Sequence, residues 1–171
     1  MIEKIPANIE PVYVSFLSCL EEDTEVGIDV LESQAGYISL PDFEPGSAYM
    51  PFSSQLNFLG NPIPYWYYVS GNNIQKEQMP SKREMENQLE EFVEEKITEC
   101  IFDGYYEQGF EISQGEPEAK IIIKDNEVEI NLDMDLSINK EEDSALIRNH
   151  KIIVKSKYQK KGKRISKLLQ E

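Results

Sequence analysis

The stretch that decides the fold is "EVEINLDMDLSI", residues 127–138. Its apolar residues occupy every second position, and polar or acidic residues fill the positions between them. Because successive side chains of a β-strand point to opposite faces, this alternation predicts one long strand with a buried face and a solvated face. The residues predicted to be buried are Val128, Ile130, Leu132, Met134, Leu136 and Ile138.

The sequence on either side predicts neighbouring antiparallel strands. Asp125 and Asn126 suit a two-residue hairpin turn, since both side chains tolerate positive φ. Further on, "HKIIVKSK" predicts a strand with Ile152 and Val154 inward. Its outward lysines would face the acidic row of residues 127–138, in cross-strand pairs worth a few tenths to about 1 kcal/mol each. These lysines are Lys151, Lys155 and Lys157.

Two amphipathic helices are predicted. In "PSKREMENQLEEFVEEKITEC", residues 80–100, Ser81 and Glu84 form a capping box. The apolar stripe that follows is Met85, Leu89, Phe92, Val93, Ile97 and Cys100. We interpret the other face as solvated; it carries Glu86, Glu90, Glu91, Glu94 and Glu95. An earlier helix is expected over residues 11–34, with a kink or a division near Gly27 and with Gly36 ending it.

Residues 37–78 contain many prolines and glycines, and short strands are expected at "GYISL" and "YWYYVS". Strand alternation would place Tyr65 and Tyr67 on one side and Trp66 and Tyr68 on the other, so the four rings would form no single platform. One pair would pack into the core and leave the other exposed. The candidate ligand or partner contacts are Tyr37, Tyr65, Trp66, Tyr67 and Tyr68, with the loop over residues 41–62.

The charge is acidic and unevenly distributed. Net charge is -15, but residues 151–171 carry a local +7, which leaves -22 on residues 1–150. Such a body repels phosphate backbones, so we expect no nucleic-acid partner for the main domain. Residues 1–10 are interpreted as a linker or the remnant of an anchor junction, 11–157 as one domain, and 158–171 as a basic tail or short helix.

No pattern typical of a catalytic, metal or cofactor site is found in the sequence. His150 is the only histidine, and no phosphate-binding glycine loop is present, so no catalytic residue, metal or cofactor is predicted. The acidic row could supply paired carboxylates, but a flat, solvated face does not raise a carboxyl pKa. The row consists of Glu127, Glu129, Asp133 and Asp135.

Cys19 and Cys100 each lie on the apolar stripe of a predicted helix. Packing of the two helices would bring the sulfur atoms within contact range. Either a disulfide or two buried free thiols in a reducing compartment fits this pattern. The spacing alone does not decide between them.

Several ordered motifs carry a resemblance to a known class of proteins. They are the helix above together with "SCLEEDTEVGIDVLESQAGYISLP", "NPIPYWYYVSGNN" and "GFEISQGEPEAKIIIKDNEVEINLDMDLSI". Over roughly residues 8–156 the chain resembles uncharacterised membrane-anchored envelope proteins of small-genome archaea. Ala35 stands where their pattern has glycine, and the C-terminal residues depart from it. The resemblance implies an extracytoplasmic domain with an upstream membrane anchor, and it favours a Cys19–Cys100 disulfide.

The predicted fold class is therefore α+β, with two helices packed on an antiparallel sheet that includes a C-terminal β-hairpin and could include residues 65–68. We expect a soluble, non-enzymatic ectodomain that binds or assembles with a cell-envelope protein or glycan. A hydrolase that cleaves surface glycan or peptide with an Asp/Glu pair is the first alternative. An acidic cytosolic protein with free thiols is the second.

Overall fold

The computed structural model describes residues 5–46, 48 and 53–155, and it confirms the α+β class. The helices are α1 (Glu10–Ser33), α2 (Lys82–Ile97) and α3 (Asp103–Tyr106). The strands are β1 (Gln55–Phe58), β2 (Asn61–Pro64), β3 (Tyr67–Val69), β4 (Gln75–Glu77), β5 (Glu111–Gln114), β6 (Glu118–Ile123), β7 (Glu127–Lys140) and β8 (Asp143–Lys155). Lys157 and residues 158–171 lie outside the described residues.

The chain divides into two compact units. Unit 1 comprises Met1–Glu25 and Val93–Glu171, and unit 2 comprises Val26–Phe92. The boundary falls inside both α1 and α2.

Unit 1 is built on β7, the central strand of a four-stranded antiparallel sheet. On one side β8 pairs with β7 along its length, and on the other side β6 and β5 pair with its first and second halves. The predicted turn at Asp125 and Asn126 is confirmed by the bond from Lys124 N–H to the Glu127 carbonyl, 2.9 Å. Neither turn residue has positive φ, in contrast to the expectation that favoured them there.

The apolar face of β7 forms the core of unit 1. Five of its six predicted core residues are almost completely buried: Ile130, Leu132, Met134, Leu136 and Ile138. Burial of each such side chain contributes about 1.5–3 kcal/mol. The first half of α1 covers this face, with the Phe16 ring centroid 4.8 Å from that of His150. In the last turns of α2, Glu94 Oε1 accepts a hydrogen bond from Ala119 N–H, 2.7 Å.

Unit 2 contains the end of α1, the start of α2 and two small hairpins, β1–β2 and β3–β4. The expected strand "GYISL" is wrong, because the Ile38 and Ser39 N–H groups donate to Gln88 Oε1 rather than to a neighbouring strand. The expected place of "YWYY" in the large sheet is also wrong, since β3 pairs with β4 alone.

In unit 2, α1 and α2 approach closely at Gly27. A Cβ added there would lie 2.5 Å from Leu89 Cδ1 and 2.8 Å from Phe92 Cδ1, so only glycine fits without rearrangement. The expected division of α1 into two helices is not found, because its helix runs unbroken from Glu10 to Ser33. Gly27 therefore serves close packing rather than a break.

The capping box of α2 is confirmed, but its outer face is not uniformly solvated. Glu84 N–H donates to Ser81 Oγ, and Ser81 N–H donates to Glu84 Oε2, which lowers the pKa of the Glu84 carboxyl. Glu86 and Glu90, expected on the solvated face, are only 8% and 7% exposed. Arg83 forms ion pairs with both, as a buried carboxylate requires a charged or polar partner.

Shortly after α1 ends at Ser33, two successive residues have positive φ: Ala35 at 55° and Gly36 at 93°. Gly36 N–H donates to the Leu31 carbonyl, the 6→1 bond of a Schellman motif with Ala35 at the left-handed position. The motif favours glycine at both positions for different reasons. At Ala35 the cost is conformational, and at Gly36 an added Cβ would also lie 2.7 Å from Pro80 Cγ.

This cap predicts opposite effects of two neighbouring substitutions. Ala35→Gly should raise the free energy of unfolding by up to about 1 kcal/mol, since it relieves a left-handed alanine. Gly36→Ala should lower it by about 1–3 kcal/mol through backbone strain and the clash with Pro80. Urea unfolding of both variants measures the two changes, and equal effects of the two substitutions would contradict the assignment.

Candidate functional site

The aromatic residues of "YWYY" form a surface in unit 2 that differs from the predicted alternation. Trp66 is 46% exposed and Tyr67 is 62% exposed, whereas Tyr65 is half-buried. All three line one open cavity of about 300 Å³, together with Ala35 and Pro64. The four rings form no single platform, since Tyr68 is buried. The strand alternation expected for residues 65–68 is not found, because β2 ends at Pro64 and β3 begins at Tyr67. We call Tyr65, Trp66 and Tyr67 the aromatic site.

The other two candidate contact residues, Tyr68 and Tyr37, are less exposed. Tyr68 is buried, and burial raises the pKa of its hydroxyl. Tyr37 is half-buried and its hydroxyl donates a hydrogen bond to the Gln78 carbonyl. Both tyrosines are therefore less exposed than Trp66 and Tyr67 and are held within unit 2.

Hydrogen bonds fix the aromatic site in place. Trp66 Nε1–H donates to the Ala35 carbonyl at 2.9 Å, which orients the indole ring and leaves part of it exposed. The Gln78 side-chain amide, through Nε2, donates to the backbone carbonyls of Ser54 and Tyr65, at 2.8 and 2.7 Å. Gln78 N–H donates to the Trp66 carbonyl, 2.8 Å. A ring held in this way loses little conformational entropy when a ligand stacks on it.

A second cavity, of about 600 Å³, shares Tyr67 with the first. It is lined by Tyr67, Tyr68, Val69, Gln75, Lys76 and Glu77. Its polar groups include the Gln75 amide and the charged ends of Lys76 and Glu77, and the Tyr67 hydroxyl donates to Glu77 Oε1 at 3.4 Å. Tyr67 therefore lies where the aromatic site adjoins the more polar second cavity.

The sequence carries a second signal for this surface, which strand alternation does not reveal. Residues 45–75 contain no Asp, Glu, Lys, Arg or His, although charged residues make up 29% of the chain. At that average frequency, a segment of this length would carry about nine. Among its described residues, the exposed large apolar side chains are Leu56, Phe58, Leu59, Trp66, Tyr67 and Ile74. Depletion of charge with enrichment of aromatic residues is typical of the buried centre of interfaces.

Comparisons with known proteins give no further guide to this surface. No protein-family model, curated protein or solved structure matches the chain. Among the described residues, no helix combines the length and the apolar character that crossing a bilayer demands. The chemistry of the described residues therefore carries the functional conclusion.

The acidic row on the outer face of the unit 1 sheet is paired with cations. Lys151 Nζ and Lys124 Nζ lie 2.7 and 2.9 Å from the two oxygens of Glu129. These hydrogen bonds lower the pKa of Glu129 to about 2. Arg148 Nε lies 2.8 Å from Asp133 and 3.8 Å from Asp135. The predicted cross-strand pairing is thus confirmed for Lys151.

This pairing disfavours the row as a hydrolase site. A glycosidase general acid needs a raised pKa, so that it holds a proton near neutral pH, and the pKa of Glu129 moves in the opposite direction. Asp133 also lines a polar cavity of about 450 Å³ on the sheet. Its carboxylate is held there by Arg148.

His150 has a structural role. Its side chain is 1% exposed, and its Nε2–H donates to the Met134 carbonyl at 2.8 Å. That carbonyl lies where the β7–β8 register shifts between Asp133 and Leu136. Nδ1 then accepts the Tyr13 hydroxyl at 3.2 Å, the arrangement of a neutral ring. Burial lowers the pKa of His150.

Because His150 is the only histidine, it predicts the pH dependence of stability near neutrality. Unfolded His150 gains a proton as the pH falls through its ordinary pKa of 6.5, whereas the folded ring resists protonation. The free energy of unfolding should therefore fall by up to about 1 kcal/mol between about pH 7 and about pH 5.5. Urea unfolding at both pH values measures this change. His150→Gln should be less stable but lose the pH dependence, and an unchanged slope in this variant would refute the explanation.

Cys19 and Cys100 form a disulfide in unit 1, with Cα atoms 6.2 Å apart. Cys100 lies beyond the end of α2 rather than on its helical stripe, but close enough to reach α1. Asp23 lies one helical turn after Cys19, and its Oδ2 is 3.8 Å from Cys19 Sγ. Partial burial raises the pKa of the Asp23 carboxyl, although the nearby positive charge of Lys96 acts to lower it. Potential ligand atoms of Cys19, Asp23 and Cys100 lie close enough together to bind one metal ion. Both sulfur atoms, however, are used by the disulfide.

Loss of the disulfide should destabilise unit 1. Closure of an 81-residue separation is worth about 4–5 kcal/mol in the loop-entropy model. Urea unfolding of Cys19→Ala/Cys100→Ala should show a decrease of up to this amount. The wild-type chain under reducing conditions serves as the control and should show a similar decrease. Undiminished stability in both would show that the cross-link carries no stabilising role.

Proposed function

We propose that this chain is a non-enzymatic, extracytoplasmic domain that binds a neutral glycan of the cell envelope at the aromatic site. The observation that carries the proposal is the exposure of the Trp66 and Tyr67 rings together with the fixed orientation of the indole. Both rings are exposed, yet the indole is fixed by its bond to the Ala35 carbonyl. An aromatic ring kept in water and held in one orientation is poised for contact with an apolar surface of a ligand.

The chemistry around these rings favours a sugar over an ionic ligand. A pyranose ring presents a flat C–H face, which can stack on an aromatic ring, and hydroxyl groups at its edge. Residues 45–75 contain no charged residue. The charged side chains that share a cavity with Tyr67 are Glu77, which accepts a hydrogen bond from the Tyr67 hydroxyl, and Lys76, which is already ion-paired with Glu44. The adjoining cavity offers the Gln75 amide and the Glu77 carboxylate as hydrogen-bonding partners for hydroxyl groups. A glycan of more than one residue could span both cavities across Tyr67.

Two observations support an extracytoplasmic location. A disulfide between Cys19 and Cys100 fits an oxidising compartment, where such bonds persist. The ordered motifs that resemble archaeal membrane-anchored envelope proteins point the same way. Attachment to the membrane through an upstream anchor is part of this proposal.

Trp66 is the only tryptophan, so its fluorescence reports directly on the aromatic site. Titration with a panel of neutral oligosaccharides should shift or quench this emission for at least one member. Tyr67→Ala should weaken that binding by about tenfold or more, because loss of an exposed stacking ring costs about 1–2 kcal/mol. Tyr106→Ala is the matched control, since Tyr106 is an exposed tyrosine of unit 1, and it should bind as the wild type does.

Two results would refute the proposal. One is that no neutral oligosaccharide alters the Trp66 emission at millimolar concentration. The other is that Tyr67→Ala and Tyr106→Ala weaken binding equally, which would place the contact away from the aromatic site. Binding of acidic but not neutral oligosaccharides would contradict the argument from charge.

A further inference from the structure

We propose that strand β1 pairs antiparallel with β1 of a second copy of this chain, so that two β1–β2 hairpins form one four-stranded sheet across a two-fold axis. The contact uses β1, none of whose residues lines the aromatic cavity, and it does not depend on what the aromatic site binds. Three features of the hairpin carry the inference: one open edge, one closed edge, and a self-complementary row of uncharged side chains.

The hairpin turn determines which backbone groups point outward. Leu59 and Gly60 form a two-residue turn with φ of 52° and 86°, and Phe58 is the register partner of Asn61. In such a hairpin the pair that flanks the turn exchanges hydrogen bonds, and pairs then alternate between bonded and non-bonded. The backbone N–H and C=O groups of Asn57 and Gln55 therefore point away from β2.

The outer edge of β1 is open at one residue. Ser53 Oγ interacts with the backbone N–H and C=O of Gln55, which occupies those groups. The Asn57 side chain accepts Gly60 N–H, at 2.9 Å. Within residues 5–46, 48 and 53–155, the Asn57 backbone N–H and C=O have no hydrogen-bond partner. A second strand could pair there without displacing any described bond.

The opposite edge of the hairpin is closed by prolines. Pro62 and Pro64 are the register partners of Asn57 and Gln55, so their backbone nitrogens point to the outer edge of β2. Proline has no N–H to donate, and in sheets it is confined largely to edges that must not pair. Strand addition is thus directed to β1.

The side chains of β1 are complementary to themselves. An antiparallel pair centred on Asn57 would exchange two hydrogen bonds between the two Asn57 residues. It would also place Leu56 opposite Phe58 of the second copy, and the reverse by symmetry. Leu56 and Phe58 are both exposed in the single chain. The self-pairing would therefore bury four apolar side chains that water now surrounds.

Charge argues for the same contact. Two chains of net charge -15 repel each other, and most surfaces would bring carboxylates together. The hairpin lies inside residues 45–75, where neither copy has a charge to desolvate or oppose. An isolated two-stranded hairpin is also marginal in water, whereas four strands form a more stable sheet. A second copy is hence the occupant that the edge, the side chains and the charge favour together.

Sedimentation velocity over about 10 to about 500 µM tests the proposal. The wild-type chain should form a concentration-dependent dimer, strengthened by added salt, which screens the repulsion between two acidic chains. Asn57→Pro removes the outward N–H and should weaken dimerisation at least tenfold. Asn57→Ala is the matched control, because it also loses the bond to Gly60 but keeps the N–H, and it should still dimerise.

A second pair of variants tests the side-chain contact. Phe58→Glu places a carboxylate in the proposed interface and should abolish dimerisation. Leu146→Glu introduces the same charge at a similarly exposed apolar residue of β8 and should leave dimerisation unchanged. Far-ultraviolet circular dichroism of all four variants establishes that each remains folded, so that loss of the dimer reports on the contact.

Three outcomes would overturn the proposal. The wild-type chain could remain monomeric over the whole concentration range. A dimer could form but persist in Asn57→Pro and Phe58→Glu, which would place the interface elsewhere. A monomeric chain could bind phosphatidylcholine vesicles and lose that binding in Phe58→Glu, which would make the hairpin a bilayer contact. Failure of glycan binding at Trp66 would leave all these measurements unaffected.

Discussion

Burial of the apolar face of β7 is the interaction on which the rest of unit 1 depends. The strand is central, so its register with β8, β6 and β5 follows once that face is covered. A slip by one residue would turn every buried side chain outward, and the core therefore fixes the pairing. The same register brings Glu129 beside Lys124 and Lys151 on the outer face. The ion pairs are thus a consequence of the core.

The surfaces of the two units differ in their content of charged side chains. The outer face of the large sheet carries exposed ion pairs, such as Arg148 with Asp133, which remain hydrated and are of small net benefit to stability. Covering them with a ligand would require removal of that water. Residues 45–75 in unit 2 have no charged groups, so contact there avoids this cost. This difference is why the binding proposals concern unit 2 and why the acidic row is interpreted as structural.

Two non-glycine residues with positive φ lie next to the proposed contact surfaces. Ala35 caps α1 at 55°, and its carbonyl accepts the Trp66 indole N–H. Leu59 turns the β1–β2 hairpin at 52° and is 92% exposed. Asparagine or glycine would suit either position better, so each conformation costs folding energy. Retention of strain beside an exposed apolar surface is consistent with selection for binding rather than for stability.

The sequence by itself determined the elements whose signals are local. Alternation over residues 127–138 depends only on the period of a strand, and the Ser81–Glu84 capping box only on one helical turn. Tertiary structure decided what depends on distant partners. Glu86 and Glu90 are buried by the packing around α2, although their cationic partner, Arg83, lies on the same helix. Tyr65, Trp66 and Tyr67 share a surface because no strand continues from β2 into β3. The spacing of apolar residues along one segment carries no information on which other segments pack against it.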